Sequence, residues 1–196
     1  MKTIIAMTII FSASSCVTAQ NAENPVLKNI FQRKSVRHFT GRKVSMDTLV
    51  LLAKAGMASP TAMNQQPWEF ILIDRASLLD SLQEGLPYAK MLKKAGSGII
   101  VCGNTHKMMI GMPREFWIQD CSAASENILL AAESIGIGAG WTSVYPGKDR
   151  IDHVRKVLKL PEYIIPLNAI SVGFPTGEDQ PKDKFKSDNI HKNGWK

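Results

Sequence analysis

Arg33, Ser35 and Arg37 stand at alternate positions in the stretch RKSVR. In an extended segment they would face one side, because side chains alternate along such a chain. Two guanidiniums and a hydroxyl on one side can grip an anion, since Arg bonds phosphate oxygens in bidentate fashion. Residues 33 to 43 hold five Arg or Lys and no acid, so a solvated basic face accounts for the same pattern. A second group is ASPTAMNQQPWEF, residues 58–70. It carries no obvious nucleophile and too little acid to hold a metal. It offers amides, from Asn64, Gln65 and Gln66, at the mouth of a strand-like run. His38, His106, His153 and His191 are scattered, with none at metal-ligand spacing to Cys, Asp or Glu, so no metal site is expected. Neither a G-x-S-x-G elbow nor a P-loop is present. GIGAGW (136–141) follows a helical pattern rather than a strand and lacks the third glycine of a dinucleotide-binding turn. A helix C-terminus and turn accounts for it better.

The elements that must position these groups are read from periodicity and caps. Asn24-Pro25 looks like an N-cap followed by proline at the first helical position, with Leu27, Ile30 and Phe31 on one face. Ser45 caps a helix through Ala58, with Leu49, Leu52, Ala53 and Gly56 inward; Pro60 stops it. WEFILID reads as a strand and GIIVCG (98–103) as a buried second one. Residues 118–135 form the longest helix, with an inward face of Cys121, Ala124, Ser125, Ile128, Leu129 and Ala132. RIDHVRKVLKLP is a shorter amphipathic helix with Ile151, Val154, Val157 and Leu158 on one side. NAISVGFP is a third strand. Helices and strands mix without strict alternation, so the fold class expected is α+β.

The chain has 196 residues, 44% hydrophobic and 21% charged, which suits one compact domain. A net charge of +7 favours anionic partners without choosing among them. No nucleic-acid reader motif accompanies it, so nucleic acid is not expected as a partner. Lys2, the apolar run IIAMTIIF and the small-residue tail SASSCVTAQ read as a secretory signal peptide over residues 1–19, ahead of a domain over 20–196. Two processing routes stay open: cleavage after Ala19, or lipidation of Cys16 as a membrane anchor. Either places the protein outside the cytoplasm, in the periplasm or at the cell envelope. Cys102 and Cys121 are then the remaining cysteines, expected as buried free thiols.

Taken in order, four segments resemble the FMN-dependent nitroreductase family. RKSVRHF is similar to its opening Arg-Arg-Ser-x-Arg, and ASPTAMNQQPWEF to its A-P-S-x-x-N-x-Q-P-W-x-F signature. AAESIGIGAGWTSVYP resembles its helix followed by G-L-G-x-x-W, and KDKFKSDNIHKNGW its closing K-x-R-x-x-x-x-x-x-H-x-x-x-W. The resemblance runs from about Val26 to Trp195. It implies an intertwined homodimer of α+β subunits, each with a central, mostly antiparallel sheet flanked by helices. FMN would lie in a groove at the dimer interface.

By the same resemblance, Arg33, Ser35 and Lys184 meet the FMN phosphate, with Lys34 and Lys182 beside them, and Arg37 meets the flavin N1/O2 edge. Asn64 bonds the pyrimidine edge, with Gln66 in the same motif. Pro60 and Thr61 line the site from the partner subunit, and Trp141, Thr142 and Ser143 lie along the ring near N5. Lys184 stands where many members have Arg, which keeps the charge but loses the bidentate fork. The segment NTHKMMIGMPREFW, where the family often forms a substrate lid, is short. The activity implied is hydride transfer through the flavin to nitroaromatic, quinone or similar acceptors, with no protein side chain as acid or base. Alternatives are a flavin-consuming or dehalogenating enzyme of the same fold, and an exported flavin-binding protein without turnover. For an exported enzyme, a native electron donor other than a soluble nicotinamide is expected.

Overall fold

The computed structural model describes residues 24–108 and 115–195. The signal peptide over 1–19, Cys16 and the middle of the short lid segment lie outside the described residues.

Helix α1 (Pro25–Gln32) begins where Asn24 Oδ1 accepts the Val26 and Leu27 N–H groups at 2.9 and 3.2 Å. Helix α2 (Met46–Met57) begins at Ser45, whose hydroxyl accepts the Thr48 N–H. Both starts satisfy donors that a helix leaves without internal partners. Strand β1 (Trp68–Ile73) leads through α3 (Ala76–Glu84) and the single turn α4 (Leu92–Ala95) to β2 (Ser97–Asn104). Helix α5 (Phe116–Ser134) is followed by β3 (Gly138–Ser143), α6 (Lys148–Leu158) and β4 (Ile164–Gly173).

The strands form a four-stranded sheet in the order β1-β2-β4-β3, and each of these pairings is antiparallel. Neighbouring residues of β2 face opposite layers, as strand geometry requires. Ile99 and Val101 point to the layer of α2 and α5; Ile100 and Cys102 point to that of α3, α4 and α6. The register skips Leu167 opposite Val101 and Cys102, so β4 carries an extra residue. That bulge shifts the phase of the strand. Leu167 and Ile170 consequently both enter the α5 layer although they are three apart. The Leu167 carbonyl then accepts two N–H groups, from Val144 and Tyr145, where the chain leaves β3.

The inward faces expected of α2 and α5 are buried as read, from Leu49, Leu52, Ala53 and Gly56 to Cys121, Ala124, Ser125, Ile128, Leu129 and Ala132. Cys102 and Cys121 are buried free thiols. Burial, with the Glu69 charge adding, pushes the Cys102 thiol up to about 12, and burial pushes Cys121 up as well, so neither is poised as a nucleophile. The face of α1 behaves differently: Ile30 and Phe31 stay 44% and 73% exposed.

One reading is corrected. GIGAGW is not wholly a turn. Gly136 does end α5 at positive φ, but Gly138 onward is a strand paired to β4. The absence of a side chain at Gly140 lets the backbone of residue 36 lie against β3. Val36 donates its N–H to the Ala139 carbonyl at 2.9 Å, and a Cβ at Gly140 would meet the Val36 carbonyl oxygen at 2.6 Å. Gly140→Ala must therefore push the 33–37 segment off the sheet. We expect urea unfolding to show a loss of about 1–3 kcal/mol, the usual cost of overpacking; unchanged stability would refute this contact's role.

Candidate functional site

The segment after α1 is extended and pinned at its middle. Val36 is buried with Phe39 and Ala95 beneath it, while Ser35 and Arg37 stay exposed on either side. The structure divides Arg33 and Arg37 between two concavities. Arg33 lines one of about 640 Å³ together with Lys182 and Lys184, brought from the far end of the chain. Arg37 lines another of about 310 Å³ together with Trp141, Thr142 and Ser143 at the end of β3. Ser35 sits between them in sequence, and its carbonyl accepts a 3.4 Å bond from Arg37 Nη1.

Helix α5 supplies the counter-charges. A Glu126 oxygen lies 3.0 Å from Arg33 Nε, and a Glu133 oxygen lies 2.7 Å from Lys34 Nζ. Those two acids are two helical turns apart and so share a face. Arg33 thus has one guanidinium edge held by protein, and no bond to its Nη groups occurs among the described residues. Lys34 is engaged by Glu133 and appears in the lining of neither concavity. Sequence reasoning singled out neither acid.

The C-terminal segment reaches the site through Asp179. Its Oδ2 accepts the Arg37 and His38 N–H groups at 2.8 and 3.0 Å, and its Oδ1 lies 3.2 Å from His38 Nδ1. Phe39 pairs with Pro175, and Thr176 N–H donates to the His38 carbonyl, so the strap continues from β4. Burial acts to raise the Asp179 carboxyl. The backbone donors of Arg37 and His38 and the His38 ring together outweigh it and hold the group below its ordinary value. Asp179 was missed in the sequence, since nothing local marks an acid that bonds residues so distant.

The amide-rich loop is strained. Met63, Asn64 and Gln66 have φ of 49°, 55° and 50°, which costs about 1–2 kcal/mol at Met63 and at Gln66, while Asn enters this region more readily. Buried Asp120 helps hold this shape by accepting the Ala62 N–H at 2.9 Å. Thr61 Oγ1 accepts the Gln66 N–H, and Gln66 Nε2 donates to Asn64 Oδ1 at 2.9 Å. The Asn64 acceptor is thereby used internally, which leaves its N–H donors to face outward. Pro60, Thr61, Asn64 and Gln66 line neither the concavity of Arg33 nor that of Arg37; Gln66 lines a third, of about 510 Å³, with Trp68, Glu69 and Lys107. Strain that the surroundings must enforce marks places where a protein binds something.

Among the described residues no group of His, Cys, Asp and Glu could hold a metal ion, and no helix is long and apolar enough to cross a membrane. Comparison with known proteins places the chain. Residues 30–174 match the Nitroreductase family. A provisionally named NADH dehydrogenase/NAD(P)H nitroreductase of Methanothermobacter thermautotrophicus is 39% identical over 170 residues, covering 87% of each chain. The crystal structure of a provisionally named NADH dehydrogenase/NAD(P)H nitroreductase from Parabacteroides distasonis is 49% identical with TM-score 0.83, over 88% of this chain and 100% of that one. A provisionally named nitroreductase of Desulfovibrio desulfuricans, solved in complex with FMN, is 27% identical with TM-score 0.74, over 89% and 99%. The chain belongs to the nitroreductase family.

Removing the Asp179 carboxylate should loosen the Arg37–His38 segment. Its folded value is depressed, so its pH-dependent contribution is complete above the ordinary Asp value of about 3.9 and is lost as pH falls through the lower folded value. Asp179→Ala should therefore be less stable than the parent in urea at pH 7 and pH 5. The gap should narrow in acid below that range. Equal stabilities at pH 7 would count against the clamp.

Proposed function

We propose that the protein is an FMN-dependent oxidoreductase that passes a hydride to small organic acceptors such as nitroaromatics and quinones, binding donor and acceptor in turn. The observation that carries this reading is the convergence of Arg33, Lys182 and Lys184 on one concavity, beside a second lined by Arg37 and the end of β3. The donor set fits the group. Three cations against the single carboxylate of Asp183 suit a phosphate dianion, and an exposed guanidinium suits the electron-rich edge of a flavin.

FMN, when bound, supplies the hydride-accepting and hydride-donating centre at N5. The chain's own residues bind and orient it. Arg33, Lys182 and Lys184 hold the phosphate, with Ser35 adding a hydroxyl. Glu126 holds Arg33 Nε, so its other nitrogens are presented to the anion. Arg37 lies at the N1/O2 edge, where a cation raises the reduction potential. Asn64 offers its free donors to a pyrimidine carbonyl. The β3 backbone at Trp141, Thr142 and Ser143 flanks the ring. No side chain is required as acid or base.

The reading is tested by colour and turnover. Purified protein should be yellow, release FMN on denaturation, and reduce a nitroaromatic or menadione with NADH or NADPH as donor in vitro. Charge-assisted bonds contribute about 1.5–3 kcal/mol each, so Arg33→Ala should weaken FMN binding by roughly tenfold or more. Protein that neither carries nor takes up FMN would end the proposal, and full retention by Arg33→Ala would remove that residue's role.

The working unit we propose is a homodimer. Pro60, Thr61 and Asn64 line neither the concavity of Arg33 nor that of Arg37, which leaves them free to complete the site of a second copy. Val26, Ile30 and Phe31 of α1 expose an apolar face, and Trp195 of the tail is 88% exposed. Apolar surface of this kind is what a second copy would cover. Light scattering should give twice the chain mass for flavin-loaded protein; a stable, loaded monomer would contradict it.

A further inference from the structure

The proposed function assigns Arg150 no role, yet its side chain lines the same concavity of about 310 Å³ as Arg37, Tyr88 and Trp141. No carboxylate is in that lining. Arg150 makes no ion pair or hydrogen bond among the described residues, although it is half-buried. The acids of the same helix, Asp149 and Asp152, stand one and two positions away, not at the three- or four-residue spacing that brings helical side chains together, and Asp152 is paired with Lys148. The site is also an unfavourable one for a cation, because Arg150 stands in the first turn of α6, where the helix dipole is positive.

The guanidinium is seated there by the backbone. A Cβ at Gly147 would meet Arg150 Nε at 2.4 Å and Nη2 at 2.6 Å. The side chain therefore folds back over Gly147, in space that a Cβ there would make it leave. A half-buried cation in the first turn of a helix, with no hydrogen bond or ion pair among the described residues, is open to an anion that arrives from outside.

We propose that Arg150 makes the acceptor site selective for anionic aromatic acceptors, those carrying a carboxylate or sulfonate beside the reducible group. The proposal rests on the oxidoreductase reading above. In that reading Arg37 is committed to the cofactor, which leaves Arg150 as the cation open to an incoming molecule. Tyr88 and Trp141 supply aromatic surface for its ring. Arg150 touches the substrate's charged substituent and takes no part in the hydride step, so its effect falls on binding.

The test compares two acceptors of nearly equal shape, 4-nitrobenzoate and its neutral amide, 4-nitrobenzamide, on the FMN-loaded protein. The parent should favour the benzoate in kcat/KM. Arg150→Ala should raise KM for the benzoate about tenfold, with little change in kcat and little change for the amide. Arg150→Lys should recover part of the loss. Gly147→Ala, which unseats the guanidinium while keeping its charge, should give the same selective loss. In a second readout that needs no turnover, benzoate should quench tryptophan fluorescence of the parent, and Arg150→Ala should weaken that binding by a similar factor. Equal losses for both acceptors, no loss for either, or benzoate binding unchanged in Arg150→Ala would each overturn the proposal. Failure of the parent to reduce even the amide would speak against the oxidoreductase reading, while the fluorescence titration would still decide the role of Arg150.

Discussion

The backbone of Val36 lies against β3 more closely than any side chain on Gly140 would permit. This contact turns a basic segment into a positioned one. One hydrogen bond to Ala139 and a buried valine fix the middle of the stretch. The flanking residues then have no choice of direction: Arg33 is left at the end of α1, and Arg37 is carried to the end of β3. Arginine side chains are long and lose much rotamer freedom when ordered. Anchoring the backbone beneath them reduces what any ligand must order.

Helix α5 does two jobs with two faces. One face, from Cys121 to Ala132, is the floor of the larger core. The other carries Glu126 and Glu133, which meet Arg33 and Lys34, while Asp120 supports the strained loop before β1. A single rigid rod therefore sets the relative placement of the basic segment and the amide-rich loop. These acids also moderate the repulsion that a cluster of cations would otherwise create in a protein with net charge +7.

The sequence was most informative where local rules coincide with tertiary ones. Asn24 and Ser45 cap their helices as read, and the inward faces of α2 and α5 follow from helical spacing alone. The strand at GAGWTS was not legible, because glycine and alanine carry little strand preference and its pairing is imposed by β4. Helix α3 was missed as well; it begins at Arg75, which makes no side-chain cap. Alternation placed Arg33 and Arg37 on one side of an extended segment, whereas the family resemblance gave them separate places, and it is the separation that the structure has. That division depends on where Lys182 and Lys184 arrive, and on Asp179, a contact with no local signal.

The strap from Thr176 to Lys184 also orders events in time. It follows all four strands in sequence, yet it bonds residues 37 and 38, which precede them. Contacts so distant in sequence must wait for the sheet between them, because closing a long loop costs entropy before it returns anything. Helix α2 and strands β1 and β2 can pack while Arg33 is still without Lys182 and Lys184. The grouping of those three cations is therefore a late product of folding, formed when the segment after β4 docks on the segment after α1.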